Sequence, residues 1–324
     1  LEALGVDTSQ SFSLIETGEA LERHDEPSPT RSAVLVRLQH SHIRIGTFQR
    51  LAYLDERANL AKLTDYCLRN YYREGEGADD GPARLLDHVS REAARLAASY
   101  IAAGFVHGVL NSDNIAVTAQ SFDYGPWRFT PFWDGFFTAA YFDHNGLYAF
   151  GRQPEAIHWN LVQLAASLRP IAPAEALTPA LDAFPARFQD ALTAATFRRL
   201  GLRRAGTERD AALLVALETG LAAKTVAIDR FFFDWRGGTR RGPSPADDAY
   251  AGEAFEAFRR AVADCPPVPG ALDHDYWADA GPCSMHIDEV EAIWSAIDAH
   301  DDWAPFHAKV AAVRRMREAE AAAA

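Results

Sequence analysis

No stretch of eighteen consecutive apolar residues occurs, so the chain carries no transmembrane-helix pattern. Residues Leu1 to Gln10 hold neither the basic nor the apolar region of a signal peptide. Cysteine is nearly absent: Cys67, Cys265 and Cys283 show no metal-type spacing and cannot all pair, which points to a reducing, cytoplasmic compartment. Cys67 shares a helical face with Leu60 and Leu63 and reads as a small core residue. Cys265 and Cys283 lie in Pro- and Gly-containing loops, where a disulfide between them is the alternative to free thiols. Lysine is equally scarce, at Lys62, Lys224 and Lys309 only. A net charge of −13 argues against a nucleic-acid surface unless a local basic patch overrides it. One candidate patch exists, Phe231-Phe232-Phe233-Asp234-Trp235-Arg236 running on to Arg240-Arg241-Gly242. It interleaves aromatics with Arg as single-strand binders do, but the favoured reading is a buried helix end followed by a mobile Arg-Gly loop.

What is present is a chain of 324 residues, 48% hydrophobic, long enough to bury a substantial core in one large or two modest domains. Its most specific segment is Gly104-Phe105-Val106-His107-Gly108-Val109-Leu110-Asn111-Ser112-Asp113-Asn114, with Asp123-Tyr124-Gly125-Pro126 beginning ten residues after Asp113. A His seven residues before an Asn, then an apolar run (Ile115-Ala116-Val117) and an Asp-aromatic-Gly turn, is the layout of a protein-kinase catalytic loop with its metal-binding Asp. A triphosphate with Mg²⁺ needs hard oxygen ligands that leave room for water and phosphate, and Asn114 and Asp123 supply one amide and one carboxylate oxygen. The usual catalytic Asp is missing, because Val109 occupies its position. Asp113 is then the nearest carboxylate able to accept a proton from an attacking hydroxyl. Taken apart, the two segments are ordinary polar turns; order, spacing and flanking apolar residues together favour the nucleotide-metal reading.

These residues resemble the selenoprotein O family, kinase-like proteins that transfer AMP rather than phosphate. The resemblance also runs through Ser41-His42-Ile43-Arg44-Ile45-Gly46-Thr47-Phe48, Asp143-His144-Asn145-Gly146, Gln153-Pro154 and Trp159-Asn160-Leu161, and spans about residues 1 to 170. It implies a kinase-like α+β fold, with residues 1–45 a remnant of the small lobe and 46–324 a helical lobe carrying the catalytic loop and metal turn. It further implies ATP bound in a flipped orientation, its γ-phosphate held by two Arg that match Arg37 and Arg44, with the α-phosphate open to attack. The planar, permanently charged fork of Arg suits that task. Mg²⁺, or Mn²⁺ in its place, would sit on Asn114 and Asp123, and the acceptors would be proteins bearing Ser, Thr or Tyr hydroxyls, with no nucleic acid or membrane partner.

Departures from the family pattern set two rival readings. Its glycine-rich loop, ATP-binding Lys and pairing Glu precede Leu1, Leu1 to Val6 resemble the end of the helix that carries that Glu, and all three lysines follow the small-lobe strands. The expectation is a fragment or natural truncation of a longer protein. The family's C-terminal redox Cys or selenocysteine is absent too, and beyond residue 170 the likeness is weak, although Ile287-Asp288-Glu289-Val290-Glu291 and Asp301-Asp302-Trp303 look like shorter bacterial relatives. One rival is ordinary phosphoryl transfer, against which Val109 counts. The other is a non-catalytic pseudokinase fragment that binds partners through its helical lobe.

Along the chain, alternation in Ser11 to Ile15 and Ala33 to Val36, split by the turn-rich Glu26 to Thr30, predicts two or three strands with an open edge. Helical periodicity predicts helices over 45–53, 57–73 and 83–103, then most of 154–170, 174–203, 207–231, 247–264 and 286–318. The acidic run from Gly75 to Gly81 reads as an exposed linker rather than a phosphate loop. Val290, Ile293, Trp294 and Ile297 recur at helical spacing as packing positions. His107 is expected to orient its loop through its ring nitrogens, with His42 similarly placed beside Arg44, and His274 to lie in a solvated loop rather than on a metal.

Overall fold

The computed structural model describes residues 1–22, 28–74 and 80–322. It is mixed α and β, mostly helical with few strands. Glu26, Pro27 and the stretch 75–79 of the expected linker lie outside the described residues. A single 3-10 turn, Glu2–Leu4, leads into an antiparallel hairpin of β1 (Gln10–Leu21) and β2 (Thr30–Leu38), in register Leu14 to Leu35 and Ile15 to Val34. Three helices follow, α1 (Ile45–Tyr53), α2 (Arg57–Tyr71) and α3 (Gly81–Ala103), within two residues of the periodicity.

Helix α3 is the centre of the core. Leu85, Leu86, Val89, Ala93, Leu96, Ala97 and Tyr100 are buried at helical spacing, each large side chain contributing about 1.5–3 kcal/mol. Around it pack α2, α4 (Gln153–Leu168), α5 (Ala174–Asp182) and α6 (Phe184–Leu200). After α3 the chain makes a short strand, β3 (Phe105–Val106), paired antiparallel with β4 (Arg128–Phe129). All of 107–127 is thus an excursion from one two-residue ladder. Cys67 is fully buried beside Leu60, as its spacing implies, and burial pushes its thiol up to about 12.

The second half corrects several expectations. The helix expected over 174–203 is two, because Pro185 has no N–H to continue the ladder and sits in the first turn of α6. The one expected over 207–231 divides into α7 (Thr207–Ala222) and α8 (Ile228–Asp234), with Lys224 between them in the left-handed region at φ 54°. Likewise 247–264 is α9 (Asp247–Ala251) and α10 (Glu256–Ala263) around a 3-10 turn. The C-terminal helix divides at Asp301 into α11 (Ile287–His300) and α12 (Ala304–Ala321). Trp294 is 42% exposed and only Ile297 of its quartet is fully buried. All three cysteines are free, so Cys265 and Cys283 are not joined. His274 accepts from the backbone N–H of Tyr276 at 3.1 Å and caps a 3-10 turn.

The Arg-Gly run is tied down through its arginines rather than free of the core. The aromatics do end a buried helix, α8, but Arg236 is fully buried and donates from Nη1 to Glu320 Oε2 at 2.8 Å and to the carbonyls of Arg198 and Arg199. Arg241 donates to the carbonyls of Phe233 and Trp277. Arg198 in turn donates to the Leu4 carbonyl, so α6, α12 and the first 3-10 turn meet at one charged knot. Among the described residues no helix is long and apolar enough to cross a membrane.

The hairpin is built differently. Phe12, Leu14 and Ile15 are 74%, 52% and 61% exposed, and Val34, Leu35 and Leu38 are exposed as well. It is held near its two ends. Arg31 donates to Glu16, to Asp301 Oδ1 (2.9 Å) and to the carbonyl of Ile297 (2.8 Å), and lies over the Trp303 ring. At the base, Arg37 donates to Ser9 Oγ and Ser11 Oγ, each at 2.9 Å, and lies 5.1 Å from the Tyr124 ring centre.

Candidate active site

The excursion 107–127 is organised from within by His107, which is fully buried. Its Nε2 lies 2.8 Å from the Phe122 carbonyl and its Nδ1 is 3.4 Å from the backbone N–H of Val109. A carbonyl only accepts and a backbone N–H only donates, so the ring is the neutral Nε2–H form. Burial pulls its pKa below the ordinary value, and the Phe122 carbonyl opposes that shift without reversing it. One imidazole thereby ties the segment after β3 to the residue before Asp123. Gln153, the first residue of α4, fixes the other side by accepting from the His107 backbone N–H (3.0 Å) and donating to the Phe105 carbonyl (2.8 Å). Gly108 has φ 86°, and a Cβ there would lie about 3.1 Å from Pro126 and 3.2 Å from Ala139, so loop and turn approach only because the side chain is absent.

Within the loop, Asn111 Oδ1 accepts from the Asp113 N–H and the Asn111 carbonyl from the Asn114 N–H, both at 3.0 Å. Asn114 donates its Nδ2 to the Val109 carbonyl at 3.0 Å, and its Oδ1 takes no hydrogen bond among the described residues. Asn160 of α4 holds the Leu110 carbonyl at 2.7 Å. The start of α1 is stitched to the same loop through Gly46 N–H to Ser112 O, Ile45 N–H to Ile115 O and Val117 N–H to Ile43 O, all within 2.9–3.0 Å.

That stitching sets Arg44 beside the turn. Its Nη1 is 3.8 Å from Asp123 Oδ2, and its guanidinium lies 4.9 Å from the Phe122 ring centre. Asp123 takes φ 59° and its side chain is 49% exposed, so its carboxylate is open apart from Arg44. Asp113 is exposed and lies against Gly46, where an added Cβ would come within 2.0 Å of its Oδ1. Gly46→Ala is therefore expected to turn the Asp113 carboxylate out of place and, on the proton-accepting role proposed for Asp113, to lower kcat about tenfold or more while the melting temperature changes little. Steady-state kinetics beside a thermal melt checks both halves.

Of the five residues singled out, Arg44 and Asp123 meet directly, Asp113 and Asn114 sit on the loop that abuts the start of α1, and Arg37 reaches the turn through Tyr124. Arg37 spends its donors on Ser9 and Ser11, whereas Arg44 has no hydrogen-bond partner among the described residues. Among the described residues no group of three or more His, Cys, Asp or Glu is placed to hold a metal. The open Asp123 carboxylate and the unengaged Asn114 oxygen fit instead a Mg²⁺ that keeps waters and takes phosphate oxygens. Gln153, Asn160 and Gly46 have structural parts the sequence did not announce, although each stands in a segment already singled out.

Residues 1–250 match the family described as protein adenylyltransferase SelO. The chain belongs to this family. A protein nucleotidyltransferase YdiU of Gloeobacter violaceus is 39% identical over 326 residues, covering 97% of this chain and 68% of the relative. One from Synechocystis is 37% identical over 95% of this chain and 68% of its own length, and one from Synechococcus elongatus is 45% identical over 65% and 42%. The SelO match thus runs well past residue 170, where the sequence likeness read as weak. Placement in SelO makes the activity class nucleotidyl transfer to protein.

Proposed function

We propose that the chain moves AMP from ATP to Ser, Thr or Tyr hydroxyls of other proteins, on a kinase-like fold in which residues 1–45 are the remnant of the small lobe and 46–324 the helical lobe. The observation that carries this reading is Arg44 set 3.8 Å from an open Asp123, on a loop whose Val109 offers no carboxylate at the usual base position. Arg44, and Arg37 once released from Ser9 and Ser11, hold the terminal phosphates of ATP through paired donors. Asn114 and Asp123 hold Mg²⁺, or Mn²⁺, which when bound supplies charge neutralisation at the phosphates. The acceptor hydroxyl oxygen forms its bond to the α-phosphorus, its proton passes to Asp113, and the bond from the α-phosphorus to the bridging oxygen breaks. Pyrophosphate departs with that electron pair. His107, neutral and walled in, positions the loop and carries no proton in the reaction.

The test is parallel labelling of mixed protein substrates with ATP radioactive at the α- or at the γ-phosphate. Label from the α-position alone is expected. Label from the γ-position alone would make the chain a phosphotransferase despite Val109, and no label from either would favour a binding module.

A further inference from the structure

A cavity of about 480 Å³ lies between α9, α10 and the segment that follows α8, and shares no residue with the candidate active site. Three guanidinium groups line it, those of Arg240, Arg241 and Arg259, against the single carboxylate of Asp247. On a chain of net charge −13 this local excess of two positive charges stands out. Asp234, nearby, is engaged by Tyr250 Oη (3.0 Å), Ser244 Oγ (2.6 Å) and Arg230 (3.5 Å), and its Oδ1 lies 3.9 Å from Arg240 Nη1, so it offsets part of that excess.

Arg240 is held by Asp247 through Nε (3.2 Å) and Nη2 and by the carbonyls of Asp234 and Gly242, so the donors left over belong to its neighbours. Arg259 spends Nη1 on the carbonyls of Tyr250 and Gly252, which fixes the direction of its fork, while its Nε and Nη2 have no partner among the described residues. Arg241 is pinned through both Nη atoms, and its Nε is buried without a partner. The indole Nε1 of Trp235, a lining residue only 5% exposed, is likewise buried and unpartnered. Buried donors left unsatisfied are uncommon and call for an acceptor. An anion rich in acceptor oxygens would meet the open donors of Arg259 beside Arg240, as a phosphoryl group facing an Arg fork does.

We propose that this cavity binds a phosphate monoester. Its volume falls in the range of about 300–1,000 Å³ common for small-molecule sites, more than a bare tetrahedral ion fills. The phosphoryl group lies against Arg259 and competes with the Asp247 carboxylate for Arg240, and the remainder of the ester occupies the open side. The proposal does not depend on the adenylyl-transfer reading.

Calorimetric titration of AMP and of a phosphoserine peptide, with adenosine and the unphosphorylated peptide as controls, tests it in an Arg44→Ala, Asp123→Asn background. Saturable binding of an ester, absent for its control, is expected, and the tighter of the two esters identifies the source. Arg259→Ala is expected to weaken that binding about tenfold or more. Asp247→Asn keeps the acceptor oxygen but removes the competing charge, and is expected to tighten binding several-fold, a change that misfolding cannot imitate. Absence of saturable binding by both esters, equal affinity in Arg259→Ala, or no tightening in Asp247→Asn would overturn the assignment.

Discussion

Asp123→Asn is expected to lower α-label transfer by about 10²–10³-fold or more, the scale seen when one electrostatic stabiliser is removed from a transition state, with the melting temperature close to wild type. The choice of Asn matters. Asp123 sits at φ 59°, where Asn is tolerated, whereas Ala would add backbone strain of about 1–2 kcal/mol and confuse lost charge with lost folding. The substitution keeps the shape beside Arg44 and removes the only carboxylate facing it from the turn. Metal-dependent nucleotide binding, followed by calorimetry with and without Mg²⁺, should fall with the activity. If Asp123→Asn bound nucleotide with an undiminished dependence on metal, the assignment of Asp123 as a ligand would fail, whatever happened to transfer.

The largest stability effect is expected at the charged knot. Arg236 is fully buried and Glu320 is 5% exposed, joined at 2.8 Å, with Arg198 Nη1 3.9 Å from the same carboxylate oxygen. Burial lowers the pKa of both guanidinium groups, and the nearness of Glu320 works against that shift. Glu320→Ala leaves buried positive charge without its counter-ion, a loss of about 3–5 kcal/mol, against a typical total of about 5–15 for a domain. Urea denaturation should show it as a lower midpoint. The double variant Glu320→Leu, Arg236→Met is expected to be more stable than Glu320→Ala, because the fully buried guanidinium is then gone and only the less buried Arg198 is left without Glu320. A double variant no more stable than Glu320→Ala would mean that packing around the Trp277 ring, not charge, is what the pair maintains.

That knot also shows where sequence reading ran out. An Arg among glycines carries the local pattern of a loop, and nothing near Arg236 announces a partner 84 positions later. Helix positions up to Ala103 were legible because apolar spacing there reflects one buried face per helix. The later helices were placed but not divided, since Pro185 at the start of α6 and the left-handed Lys224 and Asp301 interrupt a periodicity that continues across them. The same division applies to the candidate site. Loop order and spacing from His107 to Asp123 are local and could be read. The serines that occupy Arg37, the grip of Gln153 on His107 and the close approach of Gly46 to Asp113 join segments far apart in the chain.

Arg31 ties the β1–β2 ribbon to Ile297 and Asp301 near one end, whereas Arg37 near the other bonds to the serines of the ribbon's own base and rests on the Tyr124 ring. Exchange of partners at Arg37 therefore leaves the tie of the ribbon at Arg31 untouched.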